Sequence, residues 1–333
     1  MSLYNKYRPK KFDDIVGNEA VTKAIRSRLL ENKLPSSLLL YGPSGCGKTT
    51  IARIIGLMLN CLNPDETKSP CTVCVNCKSI LDGNNSDFME INAADVRGID
   101  SIRAIISKIM YEPSYLKTRV IILDEAQSLT NDAQNCLLKP LEEPPVNNCL
   151  IICTTEPDKL LKTVRNRCDK HEMSLLSSVD KKKLVQRVAS LEGKPLNDEI
   201  VKAFTAECSP SPRDLLNQLD SLLAQDEPNS IETVFAVLSV VSEEGGDAKG
   251  IEFARGLIYK NTELKGLCRS LETGANLEGY RRLILSYAKK CLLGAKDTSS
   301  ETRILKVMEA FIPPLEFSSI EADFISRVYK FAK

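Results

Sequence analysis

No stretch of the 333-residue sequence approaches the ~20 consecutive apolar residues that a membrane-spanning helix requires, which excludes an integral helical membrane protein. The first residues, Met1-Ser2-Leu3-Tyr4-Asn5-Lys6-Tyr7-Arg8-Pro9, lack the apolar core of a secretory signal, so a cytoplasmic protein is expected. A charge excess is missing too: 45 Lys and Arg stand against 44 Asp and Glu, which excludes a uniformly basic protein that coats nucleic acid by charge alone. No internal repeat is evident. The even balance hides a gradient, because residues 1–60 carry ten basic and four acidic side chains and residues 61–100 carry three and seven. A near-neutral chain can still hold nucleic acid where its cations converge on one face.

What is present is an ordinary globular composition, 43% hydrophobic and 27% charged, long enough for two or three domains. A helix is expected from about Glu19 to Asn32, then a short buried strand Ser37–Tyr41 ending at Gly42, then a helix from Thr49 to Leu59. Val120–Leu123 and Leu150–Cys153 are nearly continuous apolar runs, the mark of parallel strands covered on both faces. Between them Ile99, Ile102, Ile106 and Ile109 fall near one helical face. Alternating helices and buried strands give a doubly wound α/β domain with a parallel sheet over residues 1–175. Beyond it the patterns are helical, giving a small domain at 176–240 and a second at 243–333, the latter with amphipathic repeats at Leu283, Leu285, Tyr287, Leu292 and Leu293. Ser242-Glu243-Glu244-Gly245-Gly246-Asp247 reads as the linker.

The sharpest chemical signal is Gly42-Pro43-Ser44-Gly45-Cys46-Gly47-Lys48-Thr49-Thr50, set between a strand and a helix. Its glycines let successive amides point into one concavity, where a β-phosphate sits at a helix N-terminus. Lys48 is placed to reach the β- and γ-phosphates, and the Thr49 hydroxyl to bind magnesium. The strand Val120–Leu123 delivers Asp124 as a second magnesium ligand and Glu125 as the group that orients and polarises the attacking water. Either acid alone could be a surface residue ending a strand; beside a phosphate loop they indicate nucleotide hydrolysis. Thr155, at the mouth of the next strand, either hydrogen-bonds the γ-phosphate or simply ends that strand.

Of the twelve cysteines, Cys46, Cys136, Cys149, Cys153, Cys168, Cys208, Cys268 and Cys291 are scattered and read as reduced thiols. Cys61, Cys71, Cys74 and Cys77 differ: Cys-x-x-Cys-x-x-Cys follows the first across nine residues. Four thiolates satisfy a closed, structural, tetrahedral zinc site; an iron–sulfur cluster and four unlinked thiols are the alternatives. Two arginines stand apart as well. Arg167, in Val164-Arg165-Asn166-Arg167-Cys168, and Arg213, in Pro212-Arg213-Asp214, are either solvated or placed to stabilise charge during phosphoryl transfer, in one case from a neighbouring subunit.

Taken together these motifs resemble the ATPase subunits of bacterial clamp loaders, the gamma/tau type of DNA polymerase III, and more distantly the small subunits of replication factor C. The resemblance rests on Tyr7-Arg8-Pro9 with Phe12, Val16-Gly17, the phosphate loop with the four cysteines after it, Asn92-Ala93-Ala94-Asp95 and Gly98-Ile99-Asp100. It continues through Asp124-Glu125, Leu141-Glu142-Glu143-Pro144-Pro145, Thr154-Thr155-Glu156-Pro157, Arg167 and Pro212-Arg213-Asp214. It is dense over roughly residues 4–220 and holds only by pattern beyond. It implies an AAA+ ATPase core with a four-cysteine zinc insertion at 61–77, a helical lid and a C-terminal helical collar. By the same resemblance ATP, magnesium and zinc are the cofactors, Arg167 is a finger completing the neighbour's ATP site, and Thr155 and Arg213 are the first and second sensors. Tyr7, Arg8, Pro9, Val16 and Gly17 pack near adenine, and Arg97, Arg103 and Lys108 are candidates to face DNA phosphates. Partners are then a sliding clamp, primer-template DNA and the other subunits of a five-membered ring, identical or different, with no membrane. Two other functions remain open, an AAA+ ATPase remodelling nucleic-acid complexes in recombination or phage defence, and a nucleotide-binding scaffold without turnover. The sequence departs from the family at Gln127, where histidine is usual, at Asn166, where serine is usual, and at Pro140. Its length suits a minimal loader such as one encoded by a bacteriophage or mobile element, or a truncated form of a longer subunit.

Overall fold

The structure, a computed structural model, describes residues 2–65, 69–96, 98–231, 233–234, 237–238, 248–259, 264–269, 277–294, 298–313 and 320–331. Residues 242–247, read as a linker, and Arg97 lie outside the described residues. The chain divides into two compact units, residues 1–195 with 209–219, and residues 196–208 with 220–333.

The first unit is built on five parallel strands, β1 Ser37–Tyr41, β2 Phe88–Asn92, β3 Arg119–Asp124, β4 Asn148–Thr154 and β5 Asp169–Glu172, in the order β2-β3-β4-β1-β5. In the register, Tyr41 lies beside Thr154 and Leu123 beside Ile152, so β1, β3 and β4 finish level with one another. The three strands legible as apolar runs are the inner ones, buried along most of their length. Strands β2 and β5 escaped sequence reasoning. They are the edges, and Phe-Met-Glu-Ile-Asn and Asp-Lys-His-Glu are too polar to read as strands covered on both faces.

Helices α1 Leu3–Lys6 and α2 Glu19–Leu30 precede the sheet, and α3 Lys48–Asn60 follows β1. Ten of the thirteen residues of α3 are buried, as expected of a helix apolar around its whole circumference. It ends where the Asn60 carboxamide turns back to Gly56 O (3.0 Å) and also donates to Thr118 O (2.9 Å). Then come α4 Val75–Leu81, α5 Ile99–Ile109, α6 Asn131–Cys136, α7 Leu138–Glu142, α8 Lys162–Arg165 and α9 Ser178–Leu191. The buried face of α5 is Ile102, Ile105 and Ile109; Ile99 and Ile106 of the expected stripe are only partly buried, while Arg103 and Lys108 stay on the exposed face. Pro140 falls in the first turn of α7, where a backbone N–H has no intrahelical partner; its missing donor explains why α6 and α7 are two helices rather than one.

Helices α10 Asp198–Glu207 and α11 Pro212–Leu223 follow, the first eight residues of α11 belonging to the first unit, and farther along the described residues form α12 Ala248–Tyr259, α13 Leu264–Arg269, α14 Leu277–Gly294, α15 Thr298–Phe311 and α16 Ile320–Tyr329. Phe253, Tyr280, Phe311 and Phe324 form the aromatic centre of the second unit, with Phe253 and Phe324 edge to face at 5.3 Å. Tyr287 is buried in that core, with Leu285 and Leu292 packed against it. No helix among the described residues is long and apolar enough to cross a membrane.

One buried ion pair organises the segment between α5 and β3. Asp87, fully buried, meets Arg119 at 2.7 Å and accepts the amides of Ser114 (2.8 Å), Tyr115 (2.6 Å) and Leu116 (3.1 Å). Arg119 in turn donates to the carbonyls of Lys108, Tyr111 (2.6 Å) and Glu112 (3.0 Å). Burial alone would raise the Asp87 carboxyl, but the amide and guanidinium donors outweigh it and hold it below the usual carboxylate range. The stability linked to this titration is therefore fully present above pH ~4, the ordinary carboxylate value, and is lost as pH falls through the lowered one. Replacing Asp87 by Ala strands a buried guanidinium and three amides, and should cost about 3–5 kcal/mol in urea unfolding at neutral pH.

Candidate functional site

Parallel strands that end level present their following loops on one edge of the sheet, where ligands of such folds bind. Here the loop 42–47 leaves β1, Asp124 ends β3, and Thr154 ends β4. Gly42 has φ +146, and a Cβ there would come within 2.1 Å of Met173 O. Gly45 has φ +72, and a Cβ would fall 2.2 Å from Ser211 Oγ. Both positions exclude any side chain, and the loop closes tightly onto the segments after β5 and before α11 because of them.

The side chains named from the sequence converge. Tyr7, Arg8, Pro9, Val16, Ser44, Gly45, Cys46, Gly47, Lys48, Thr49, Thr50, Asp124, Glu125 and Arg213 line one cavity of about 320 Å³ within the first unit. Gly17, Gly42, Pro43, Thr155 and Arg167, also named from the sequence, do not line it. Lys48 is buried, its Nζ donating to Gly42 O and Pro43 O, both at 2.8 Å. The Thr49 hydroxyl donates to Asp124 Oδ2 at 2.6 Å, while Asp124 Oδ1 accepts the Glu125 amide at 2.9 Å. Two hard oxygen ligands thus converge at the mouth of the phosphate loop, the donor set that magnesium takes beside phosphate. Cys46 is a packing thiol, its pKa pushed up by burial.

The opposite wall is apolar, formed by Ile15, Val16, Leu184, Val188 and Leu216. Helix α9, which carries Leu184 and Val188, is capped by Ser177, whose hydroxyl accepts the Asp180 amide. Sequence reasoning missed Tyr4. Its ring lies 5.2 Å from the Arg213 guanidinium and 5.9 Å from that of Arg8, and its hydroxyl accepts from Arg213 Nη2 at 3.4 Å. That bond raises the Arg213 pKa, whereas burial and the neighbouring Arg53 lower that of Arg8. Arg8 also donates to Thr50 Oγ1 at 3.1 Å, pinning the start of α3. The one cue in the sequence was an aromatic residue a helical turn before Arg8.

Thr155 is joined to Glu125 through Gln127, whose Nε2 donates to both side chains. Arg167 is held elsewhere on the same unit, by Glu142 and by Thr163 O at 2.8 Å, and stays about one-third exposed. Asn166 caps α8 in helical conformation and accepts from Lys170 at 3.2 Å.

The four cysteines set apart by spacing are brought together, with all four sulfur atoms within 4.8 Å of one another. Such crowding suits one ion about 2.3 Å from each sulfur and leaves no room for a multi-iron cluster. The amides of Cys71, Cys74 and Cys77 donate to the sulfurs of Cys61, Cys71 and Cys74 at 3.3, 3.3 and 3.5 Å. The Val73 amide, with others, pulls Cys71 down to about 6; burial opposes the same trend at Cys74, but backbone donors win and its pKa is lowered. Burial pushes Cys61 and Cys77 up. The set is compatible with zinc. Arg103 pairs with Asp100 at 3.4 Å on the exposed side of α5, and Met110, Tyr111 and Tyr115 just beyond it are 50%, 73% and 78% exposed.

Residues 17–177 match the family model described as DNA polymerase III, delta subunit. The DNA polymerase III subunit gamma/tau of Mycobacterium bovis is 38% identical over 226 residues, covering 67% of this chain and 39% of the relative. The tau subunit of Bacillus subtilis is 33% identical, covering 73% and 43%, and the gamma subunit of Buchnera aphidicola from Schizaphis graminum 36%, covering 68% and 62%. The chain thus spans between about two-fifths and three-fifths of the length of these relatives. Among solved structures, the Thermotoga maritima RuvB Holliday junction branch migration motor aligns with a TM-score of 0.54 at 20% identity, covering 85% of this chain and 91% of that one. At that identity the likeness concerns the fold alone, an α/β core built on a parallel sheet.

Gly45→Ala should weaken binding of a fluorescent ATP analogue at least about tenfold, since left-handed strain of ~1–2 kcal/mol adds to the clash with Ser211.

Proposed function

Because the chain belongs to the clamp-loader ATPase family, we propose that it hydrolyses ATP as one subunit of a ring that opens a DNA sliding clamp and sets it on primer-template DNA. One observation carries the reading: Ser44 to Thr50 of the phosphate loop and the acids Asp124 and Glu125 line a single cleft, while Arg167 lies outside it.

In this reading the loop amides and Lys48 hold the phosphates, and Lys48 exchanges its two carbonyl partners for phosphate oxygens. Thr49 and Asp124 hold magnesium, which supplies positive charge against the β- and γ-phosphate oxygens. Glu125 orients the attacking water and takes up its proton, and Thr155 senses the γ-phosphate. Tyr7, Arg8, Pro9 and Val16 face the base and sugar across from α9, and Arg213 reaches the phosphates from α11. Arg167 serves the neighbouring subunit's site, with Glu142 ordering the guanidinium before the neighbour arrives. Loss of the γ-phosphate contacts after hydrolysis loosens the ring and releases clamp and DNA.

The outward face of α5 and the loop after it support the rest of the proposal. Arg103 and Lys108 offer cations to phosphates without reading sequence, and exposed Met110, Tyr111 and Tyr115 give the apolar surface that docking on a clamp needs. Zinc is the ion proposed for Cys61, Cys71, Cys74 and Cys77, bracing the insertion between α3 and β2. Residues 176–240 act as lid and 243–333 as collar.

Steady-state ATP turnover tests the reading. Lys48→Ala should abolish nucleotide binding; Glu125→Gln should keep binding and cut turnover by ~10²-fold or more. Primer-template DNA together with a sliding clamp should stimulate the wild type, and indifference to the clamp would point instead to remodelling of nucleic acid. Arg167→Ala mixed with wild type should depress turnover below the sum of the parts; strictly additive rates would count against catalysis across the seam. Purified protein should contain about one zinc per chain by elemental analysis, lost when Cys71 and Cys74 are both replaced by Ser.

A further inference from the structure

Gln127 lies in the short turn Ala126–Ser128 after β3, and both ends of its carboxamide are engaged. Nε2 donates to Glu125 Oε2 and, at 2.9 Å, to Thr155 Oγ1. Oε1 accepts from Thr154 Oγ1 at 2.8 Å and from the Thr155 amide at 3.4 Å. The orientation of the amide is fixed by chemistry, because a backbone N–H can only donate and a carboxylate can only accept. Oε1 must therefore face β4, and Nε2 must face Glu125.

Two consequences follow from this polarity. The Thr155 hydroxyl accepts from Gln127, so its own proton is left to be donated in another direction. One oxygen of Glu125 is occupied by the amide, which leaves Oε1 to accept from water. The Glu125 backbone is left-handed at φ +50, a conformation that neighbouring contacts must hold in place, and the Gln127 amide is one of the contacts on its side chain. Gln127 itself is not among the residues lining the cleft.

We propose that Gln127 is a positioning residue that locks the general base Glu125 and the γ-phosphate sensor Thr155 into one hydrogen-bonded unit, so that the two are set together for ATP hydrolysis. The proposal rests on the ATPase reading of this site and adds to it a residue that neither binds nucleotide nor exchanges a proton. It also explains why a carboxamide suits this position. A neutral imidazole offers one donor and one acceptor, and cannot donate to two groups on one side while accepting from two on the other. Histidine at 127 would hold one of the partners and release the other.

The test uses the full chain in its assembled form. Gln127→Glu keeps the shape but removes the donor, and Gln127→Ala removes the amide altogether. Both should lower kcat about 30-fold or more, short of the loss in Glu125→Gln, since a positioned base is worth ~10²–10⁴-fold. KM for ATP, and Kd for a fluorescent ATP analogue, should stay within about twofold, because the amide acts only through the base and the sensor. Gln127→His should recover part of the kcat lost in Gln127→Ala. The double variant Gln127→Ala/Thr155→Ala should fall little further than the worse single variant, the mark of groups that act as a unit. Thermal unfolding midpoints identify any variant that fails to fold; should Gln127→Ala be one, the isosteric Gln127→Glu and Gln127→His carry the comparison. Unchanged kcat in Gln127→Glu, equal losses of kcat and nucleotide affinity, or additive losses in the double variant would each overturn the proposal. If Glu125→Gln turns over ATP like the wild type, the ATPase reading itself fails; if Glu125→Gln is inactive while the Gln127 variants are not, only this inference does.

Discussion

Parallel pairing is the constraint from which the site follows. Strands running in one direction end on one side, and the pairing of Tyr41 with Thr154 and of Leu123 with Ile152 brings three inner strands to the same level. The loop after β1, the acids after β3 and the threonines after β4 then meet because their strands do. A one-residue slip of β3 would turn Asp124 to the opposite face of the sheet and break its 2.6 Å bond with Thr49. Continuous apolar sequences in β1, β3 and β4 hold that register by burying both faces of the sheet.

Polar chemistry in the site is correspondingly local. Asp124, Glu125 and Thr155 are each held by one or two hydrogen bonds to neighbours in the same cluster, so their geometry is set by the fold itself. Arg167 is likewise held, but by Glu142, on a different part of the surface. That separation from the cleft is the basis of the role at a neighbouring site proposed for it above.

Much of this was legible in the sequence because the chemistry is written in contiguous residues. The phosphate loop, the Asp124-Glu125 pair and the four cysteines are motifs with fixed spacing, and the inner strands are apolar runs. What was not legible depends on side chains distant in sequence. Strand β5, Asp-Lys-His-Glu, exists because β1 offers it an edge, not because its composition favours a strand. Tyr4 gains its place only when α11 brings Arg213 beside it. Gln127 looked like a mere departure from a family pattern until β4 supplied its partners. Pro140 looked anomalous until a helix proved to begin two residues before it.

The ring of Tyr4, bracketed by Arg8 and Arg213, ties the first helical turn of the chain to the mouth of the nucleotide cleft. Any polypeptide joined ahead of Leu3 therefore emerges beside the cleft rather than at a remote corner of the first unit. A fusion partner or affinity tag placed there would crowd the cleft, so a label intended to leave nucleotide exchange undisturbed belongs elsewhere on the chain.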